Sequence, residues 1–162
     1  MFVRYFEMLP ISYEAADAAL RGCPRDWLPE LAIDAGRVRD RLLAEARLAP
    51  PATRLRSEGA SLQVGAPLRL AETSFLPLSW PPEREVAPFP TLEGDLQLAP
   101  LGPAGAQLSF SAFYRRPDEV RDGAVDGGVL HRIIESTVKD FVDRVALAVQ
   151  AIVASGRYRA TA

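Results

Sequence analysis

The chain holds one histidine, His131, with Glu135 four residues further on. On a helix that spacing puts both side chains on one face, where a carboxylate can orient an imidazole as a general base. The same spacing equally describes a half-buried histidine paired on a helix exterior, with no chemical task. Glu93 and Asp95 share one side of a strand and so are, in principle, an acid/base carboxylate pair. Their side is opposite Leu92, Leu96 and Leu98, which reads as a solvated face rather than a site. Cys23 has arginines two residues away on either side, Arg21 and Arg25, but no histidine close in sequence, so it reads as a small buried residue rather than a nucleophile. One histidine and one cysteine cannot make a zinc set, and no carboxylates have ligand spacing, so neither metal nor cofactor is expected. Gly127 and Gly128, like Gly102 and Gly105, read as turn glycines outside any βαβ unit, and a nucleotide site is not supported.

Three hydroxyls fall in phase with apolar faces: Ser74, Tyr114 and Thr137. An aliphatic lining with a few such groups is the composition of a site for an apolar ligand. Tyr114, at a strand end, can bond a ligand carbonyl or hydroxyl; a core tyrosine whose OH reaches the surface is the plainer reading. Trp80 and Phe110 either line the same space or fill it. Together with Leu96, Ile134 and Phe141, these residues form the expected ligand-cavity set, and none of them is assigned a catalytic role.

The elements that must position these groups follow from periodicity. Residues 2–9 read as a strand with one wetter face, and Pro10 ends it. Ser12, an acid in the first turn and Gly22 delimit a short helix over residues 13–20, and a second short helix over residues 26–33 follows Pro24, with Asp26 placed to cap it. From Thr53 the period changes. Leu62 and Val64 alternate with Ser61 and Gln63, and Gly65-Ala66-Pro67 marks a bulge or bend before Leu68-Arg69-Leu70. Ser74, Leu76, Leu78 and Trp80 then share one side of a strand, before a proline-rich connection carrying Glu83, Arg84 and Glu85. Leu92, Gly94, Leu96 and Leu98, followed by Leu108, Phe110, Ala112 and Tyr114, predict an antiparallel hairpin with one buried face. After a polar loop over residues 115–126, Leu130, Ile133, Ile134, Thr137, Phe141, Val145, Ala148 and Ile152 recur at spacings of three and four. Asp126 can cap that helix and Gly156 can end it; at its length it runs roughly 40 Å.

This order, with the long amphipathic helix last, resembles the START-like superfamily, also called SRPBCC or polyketide cyclase/dehydrase-like. Residues 89–102, opening Phe89-Pro90-Thr91-Leu92-Glu93-Gly94-Asp95, are similar to a strand-and-turn segment of actinobacterial members, as are residues 108–117. Leu130-His131-Arg132-Ile133-Ile134-Glu135 is similar to the opening of their C-terminal helix. The resemblance covers most of the chain, is poorest over residues 37–55, and carries no catalytic signature. It implies an α+β helix-grip fold: a curved antiparallel β-sheet wrapped around a long C-terminal helix, with two short helices after the first strand and a cavity between sheet and helix. Members bind or transform lipids, sterols and polyketides. Over residues 37–48, Val38, Leu42, Leu43 and Ala46 fit a helical stripe, but the resemblance favours a strand, and the second half is read as one.

Composition bounds the remaining classes. At 162 residues with 48% hydrophobic and 25% charged, the chain suits one globular domain spanning residues 1–162. A formal net charge of −2, without like-charge blocks, gives no reason to expect nucleic acid or an anionic membrane. Arginine supplies every basic residue but Lys139, and asparagine is absent, which reads as GC-rich codon usage rather than phosphate binding. A single cysteine allows no internal disulfide, residues 1–7 lack signal-peptide character, and apolar runs fall short of the roughly 18 residues that span a membrane. A cytoplasmic location without membrane insertion is the expectation. Phe113 falls on an outer face, where further apolar residues would make a homodimer surface. Three functions compete: a non-catalytic binder of a hydrophobic small molecule, a polyketide cyclase/aromatase-like enzyme using Tyr114 or His131, and a protein-interaction module.

Overall fold

A computed structural model describes residues 1–48, 62–81 and 89–156. The elements run β1 (Phe2–Leu9), α1 (Tyr13–Arg21), α2 (Pro24–Glu45), β2 (Gln63–Val64), β3 (Leu68–Leu70), β4 (Thr73–Trp80), β5 (Leu92–Pro100), β6 (Ala106–Phe113), α3 (Asp118–Arg121) and α4 (Gly127–Ala154). Every strand pairing is antiparallel, in the order β1-β6-β5-β4, with β2 and β3 both lying along the far edge of β4. The expected break at residues 65–67 is the gap between β2 and β3, which the Gly65 N–H bridges by donating to the Pro77 carbonyl at 2.8 Å. The expected onset of alternation between residues 53 and 61, and the connection with Glu83, Arg84 and Glu85, lie outside the described residues.

Alternation sorts the sheet into two faces. Leu76, Leu78, Leu92, Leu96, Leu98, Leu108, Phe110 and Ala112 are buried and point inward. Phe2, Phe6, Met8 and Phe113 point outward and are exposed, with the Phe2 and Phe113 rings 5.0 Å apart. Gly94 marks the tightest approach in the sheet, since a Cβ there would lie 2.0 Å from the Ser111 carbonyl oxygen.

The starts of α1 and α4 match their sequence signals, whereas Asp26, expected to cap the second helix, lies inside the first turn of α2, whose N-cap is Cys23. The Ser12 hydroxyl accepts from the Ala15 N–H at 3.3 Å, and the Asp126 carboxylate accepts from Gly128 and Val129 at 2.8 and 3.1 Å. The buried stripe of α4 runs from Leu130 through Ile133, Ile134, Thr137, Val138, Phe141, Val142, Val145, Ala146 and Val149, with Ile152 partly buried beyond it. Among the described residues no helix is long and apolar enough to cross a membrane.

Residues 37–48 are a correction. They do not contain a strand; α2 continues through Gly36 to Glu45, so the second helix is long rather than short. The reason is a second buried stripe, Leu28, Ala32, Ala35, Arg39 and Leu43, spaced at three and four and packed on α4. Arg39 fits that stripe by laying its guanidinium over the Phe89 ring at 5.0 Å and donating to Asp40 at 2.8 Å. Local helix propensity and a packing partner outweigh the strand that the resemblance favoured. Cys23 is the other correction. It is exposed, because the tight α1–α2 turn holds it at φ 52° ahead of Pro24 and turns it away from the core.

Candidate ligand site between the sheet and the long helix

The inner face is best read by register rows across the sheet. The middle row, Tyr5–Phe110–Leu96–Leu76, is bulky. Phe141 of α4 descends on it: its ring centroid is 5.9 Å from Phe110, edge-on at 76°, and 5.1 Å from Trp80. These three rings are fully buried, and the structure thus brings together Trp80, Phe110 and Phe141, with Leu96 beside Phe110 in register. Ile134 and Thr137 lie on the same stripe of α4, towards its N-terminus. The Thr137 hydroxyl donates to its own helix, to the Ile133 carbonyl at 2.7 Å, so its hydrogen is already used.

Ser74 lies apart from that cluster, at the opposite end of β4 from Trp80. Its Oγ donates to Asp17 Oδ1 at 2.5 Å and lies 2.8 Å from the Tyr13 hydroxyl, which must then be the donor of that pair. Arg21 Nη2 holds the other Asp17 oxygen at 2.8 Å, and the Arg69 guanidinium lies 5.3 Å from the centre of the Tyr13 ring. Tyr13, Asp17 and Ser74 are all buried, so this polar knot ties α1 to β4 with its donors and acceptors paired internally. Sequence reasoning does not single out Tyr13 and Asp17. The available signal is an i, i+4 pair of polar positions on an alanine-rich helix, with Arg21 a further turn on.

At the other end of the sheet, Tyr114 follows the last residue of β6 and extends the β1 ladder: its N–H donates to the Met1 carbonyl at 2.9 Å, and the Met1 ammonium donates to its carbonyl at 2.6 Å. Its hydroxyl meets His131 Nδ1 at 2.5 Å, and His131 Nε2 lies 3.4 Å from Glu135. Burial pushes the Tyr114 phenol above its ordinary range; the Glu135 charge adds to this and Arg116 opposes it. Exposure rises along the chain of groups, from 5% at Tyr114 to 28% for the His131 side chain and 55% for that of Glu135. His131 is therefore neither a residue of the buried stripe nor a simple exterior pair; it joins a buried phenol to a solvated carboxylate. Glu93 points outward and accepts from the Ser79 hydroxyl at 2.7 Å, as a solvated strand face requires. Among the described residues no group of three His, Cys, Asp or Glu could hold a metal ion.

The long helix α4 thus lies across the concave face of an antiparallel sheet, with α1 and α2 inserted after the first strand. This is a helix-grip fold. No protein-family model and no curated protein matches the chain. Among solved structures the chain is similar to TTHA0849 from Thermus thermophilus, at 15% identity and a TM-score of 0.43, covering 93% of this chain and 98% of that one. It is similar to the Zhui aromatase/cyclase from Streptomyces sp. R1128, at 13% identity and a TM-score of 0.40, covering 94% and 95%. Ara h 8.0201 matches at 11% identity and a TM-score of 0.46, covering 96% and 98%. The helix-grip assignment stands on the element order and strand register of this chain.

Proposed function

We propose that the chain binds a hydrophobic small molecule, lipid- or polyketide-like, between the inner face of the sheet and α4, and holds it without turning it over. The single observation that carries this reading is the make-up of the inner face. It is apolar along its length, and the three hydroxyls in phase with it each have a partner within the protein: Ser74 with Asp17, Thr137 with the Ile133 carbonyl and Tyr114 with His131. Trp80, Phe110, Phe141, Leu96 and Ile134 form the wall against which such a ligand lies.

Native mass spectrometry of the protein purified from its own host, with extraction of any bound molecule, tests this directly. The expected result is a mass excess lost on denaturation and recovered as an apolar compound. Absence of any mass excess, together with no saturable binding of an apolar fluorophore, would overturn the reading. The alternative of a cyclase/aromatase-like enzyme draws support from one observation, the Tyr114–His131 contact; for that reading Tyr114→Phe and His131→Ala must both reduce turnover of a polyketide-like substrate.

A further inference from the structure

The outer face of the sheet, on the far side from α4, is uneven in both polarity and relief. At the β1–β6 corner Phe2, Phe6, Met8 and Phe113 are between 47% and 64% exposed, and the Phe2 and Phe113 rings lie 5.0 Å apart across the two strands. A phenylalanine carries about 150–250 Å² of surface, so these three rings alone leave roughly 250–400 Å² open to water. A patch of that size is where a soluble chain meets a partner. Over β5 the same face turns polar, with Glu93, Asp95 and Gln97 pointing outward. The relief is as marked. Outward side chains on β1 are long, namely Phe2, Arg4, Phe6 and Met8, while Ser111 and Ser109 stand opposite Arg4 and Phe6 on β6. A ridge therefore runs beside a trough. Arg4, Ser111 and Asp95 share one row, so the two charges stand two strand spacings apart, about 10 Å. Among the described residues neither Arg4 nor Asp95 has a hydrogen bond or ion pair.

We infer that this corner is an isologous interface that binds a second copy of the chain. A half-turn about the seam between β1 and β6 exchanges the two strands and keeps every register row. The β1 ridge of each copy then lies over the β6 trough of the other. Phe2 and Phe113 of both copies gather into one aromatic cluster. Arg4 of each copy lies over Ser111 of the other, next in the row to Asp95, so both unpaired charges are satisfied twice. Sheets stacked face to face stand about 10 Å apart with strands within roughly 30° of parallel, which leaves room for one interdigitated layer of rings. A standard interface covers about 800 Å² per partner, so the apolar centre supplies a third to a half and the polar residues around it form the rim. A lipid surface fits less well, because Glu93 and Asp95 border the patch and repel anionic headgroups. The interface is independent of the ligand reading, since it leaves the inner face and α4 untouched.

Sedimentation velocity of the full chain over a concentration series measures the association. The expected result is a dimer with a Kd of roughly 1–100 μM at low salt. Phe113→Ser repeats the residue already present at 109 and 111 on that strand, so the circular dichroism spectrum should stay that of the wild type. It removes a ring from each side of the cluster and should weaken the dimer at least about tenfold. Arg4→Asp and Asp95→Arg should each weaken it about fivefold, and the two together should return it to within about twofold of the wild type. A chain that stays monomeric up to about 200 μM would overturn the inference, because a standard interface closes below that concentration. So would a dimer indifferent to Phe113→Ser, or charge reversals that the double variant fails to rescue. A monomer that binds phosphatidylcholine vesicles, and loses them with Phe113→Ser, would give the patch to lipid and overturn it equally.

Discussion

Replacing Phe141 by alanine separates a ring packed on all sides from one that faces open space. Phe141 has no exposed surface and stands between Trp80 and Phe110, at 5.1 and 5.9 Å. Truncating a fully packed phenylalanine costs about 3–5 kcal/mol, since the transfer free energy of the ring is lost and a void remains. Each ring pair adds about 0.5–1.5 kcal/mol beyond area burial, placing this site toward the upper end. For a chain of this size, about 2–4 °C of melting temperature accompanies each kcal/mol, so the midpoint should fall by roughly 8–20 °C. Thermal unfolding followed by far-ultraviolet circular dichroism, beside denaturant titration, measures both quantities. The void should also take up benzene or indole, recovering part of the lost stability in proportion to ligand concentration. A loss below about 1 kcal/mol, with no effect of indole, would refute the reasoning, because it would mean that Phe141 lacks packing partners on its inner side.

Asp17→Asn should cost about 1.5–3 kcal/mol in denaturant unfolding, because the amide turns a donor towards Arg21 where the carboxylate accepted; a loss under about 0.5 kcal/mol would show the knot with Ser74 to be idle. Tyr114 carries a pH signature: its folded pKa lies above the ordinary value of 10.0, first through burial and then through Glu135. The neutral phenol is therefore the form the fold favours, so its contribution is complete below about pH 10 and is lost as pH rises through the folded value. Denaturant midpoints measured across that range should decline more steeply in the wild-type protein than in Tyr114→Phe. Cys23 is exposed and should react with a thiol reagent in the native protein at nearly the rate of the unfolded chain. Gly94→Ala should unfold the hairpin region or cost well above 1 kcal/mol by the same titration, since its Cβ would meet the Ser111 carbonyl at 2.0 Å.

Periodicity is legible where one element meets one face. The β5–β6 hairpin reads directly as alternation, and Leu98 does pair with Leu108, while α4 shows both its stripe and its Asp126 cap. It fails where the answer depends on what lies opposite. Nothing local to residues 37–48 says that α4 will receive them, so helix and strand stay balanced until α2 is seen packed there. Cys23 escapes a sequence reading for a related reason: its neighbours give a composition, whereas the φ of 52° that turns it outward comes from the join between two helices. The polar partners are the least legible of all. Ser74 meets Asp17 across 57 residues and Tyr13 across 61, and Tyr114 meets His131 across 17, so strand phase could place each hydroxyl on the inner face but could not name its partner.

Those partners make the two ends of the inner face chemically unlike. At the α1 end, Tyr13 donates to Ser74, Ser74 donates to Asp17, and Arg21 donates to Asp17; the sequence of donors closes on a carboxylate, and a ligand has nothing to add. At the opposite end, Tyr114 pairs with His131 Nδ1 and His131 faces the solvated Glu135, so the polar chain runs from the interior towards water.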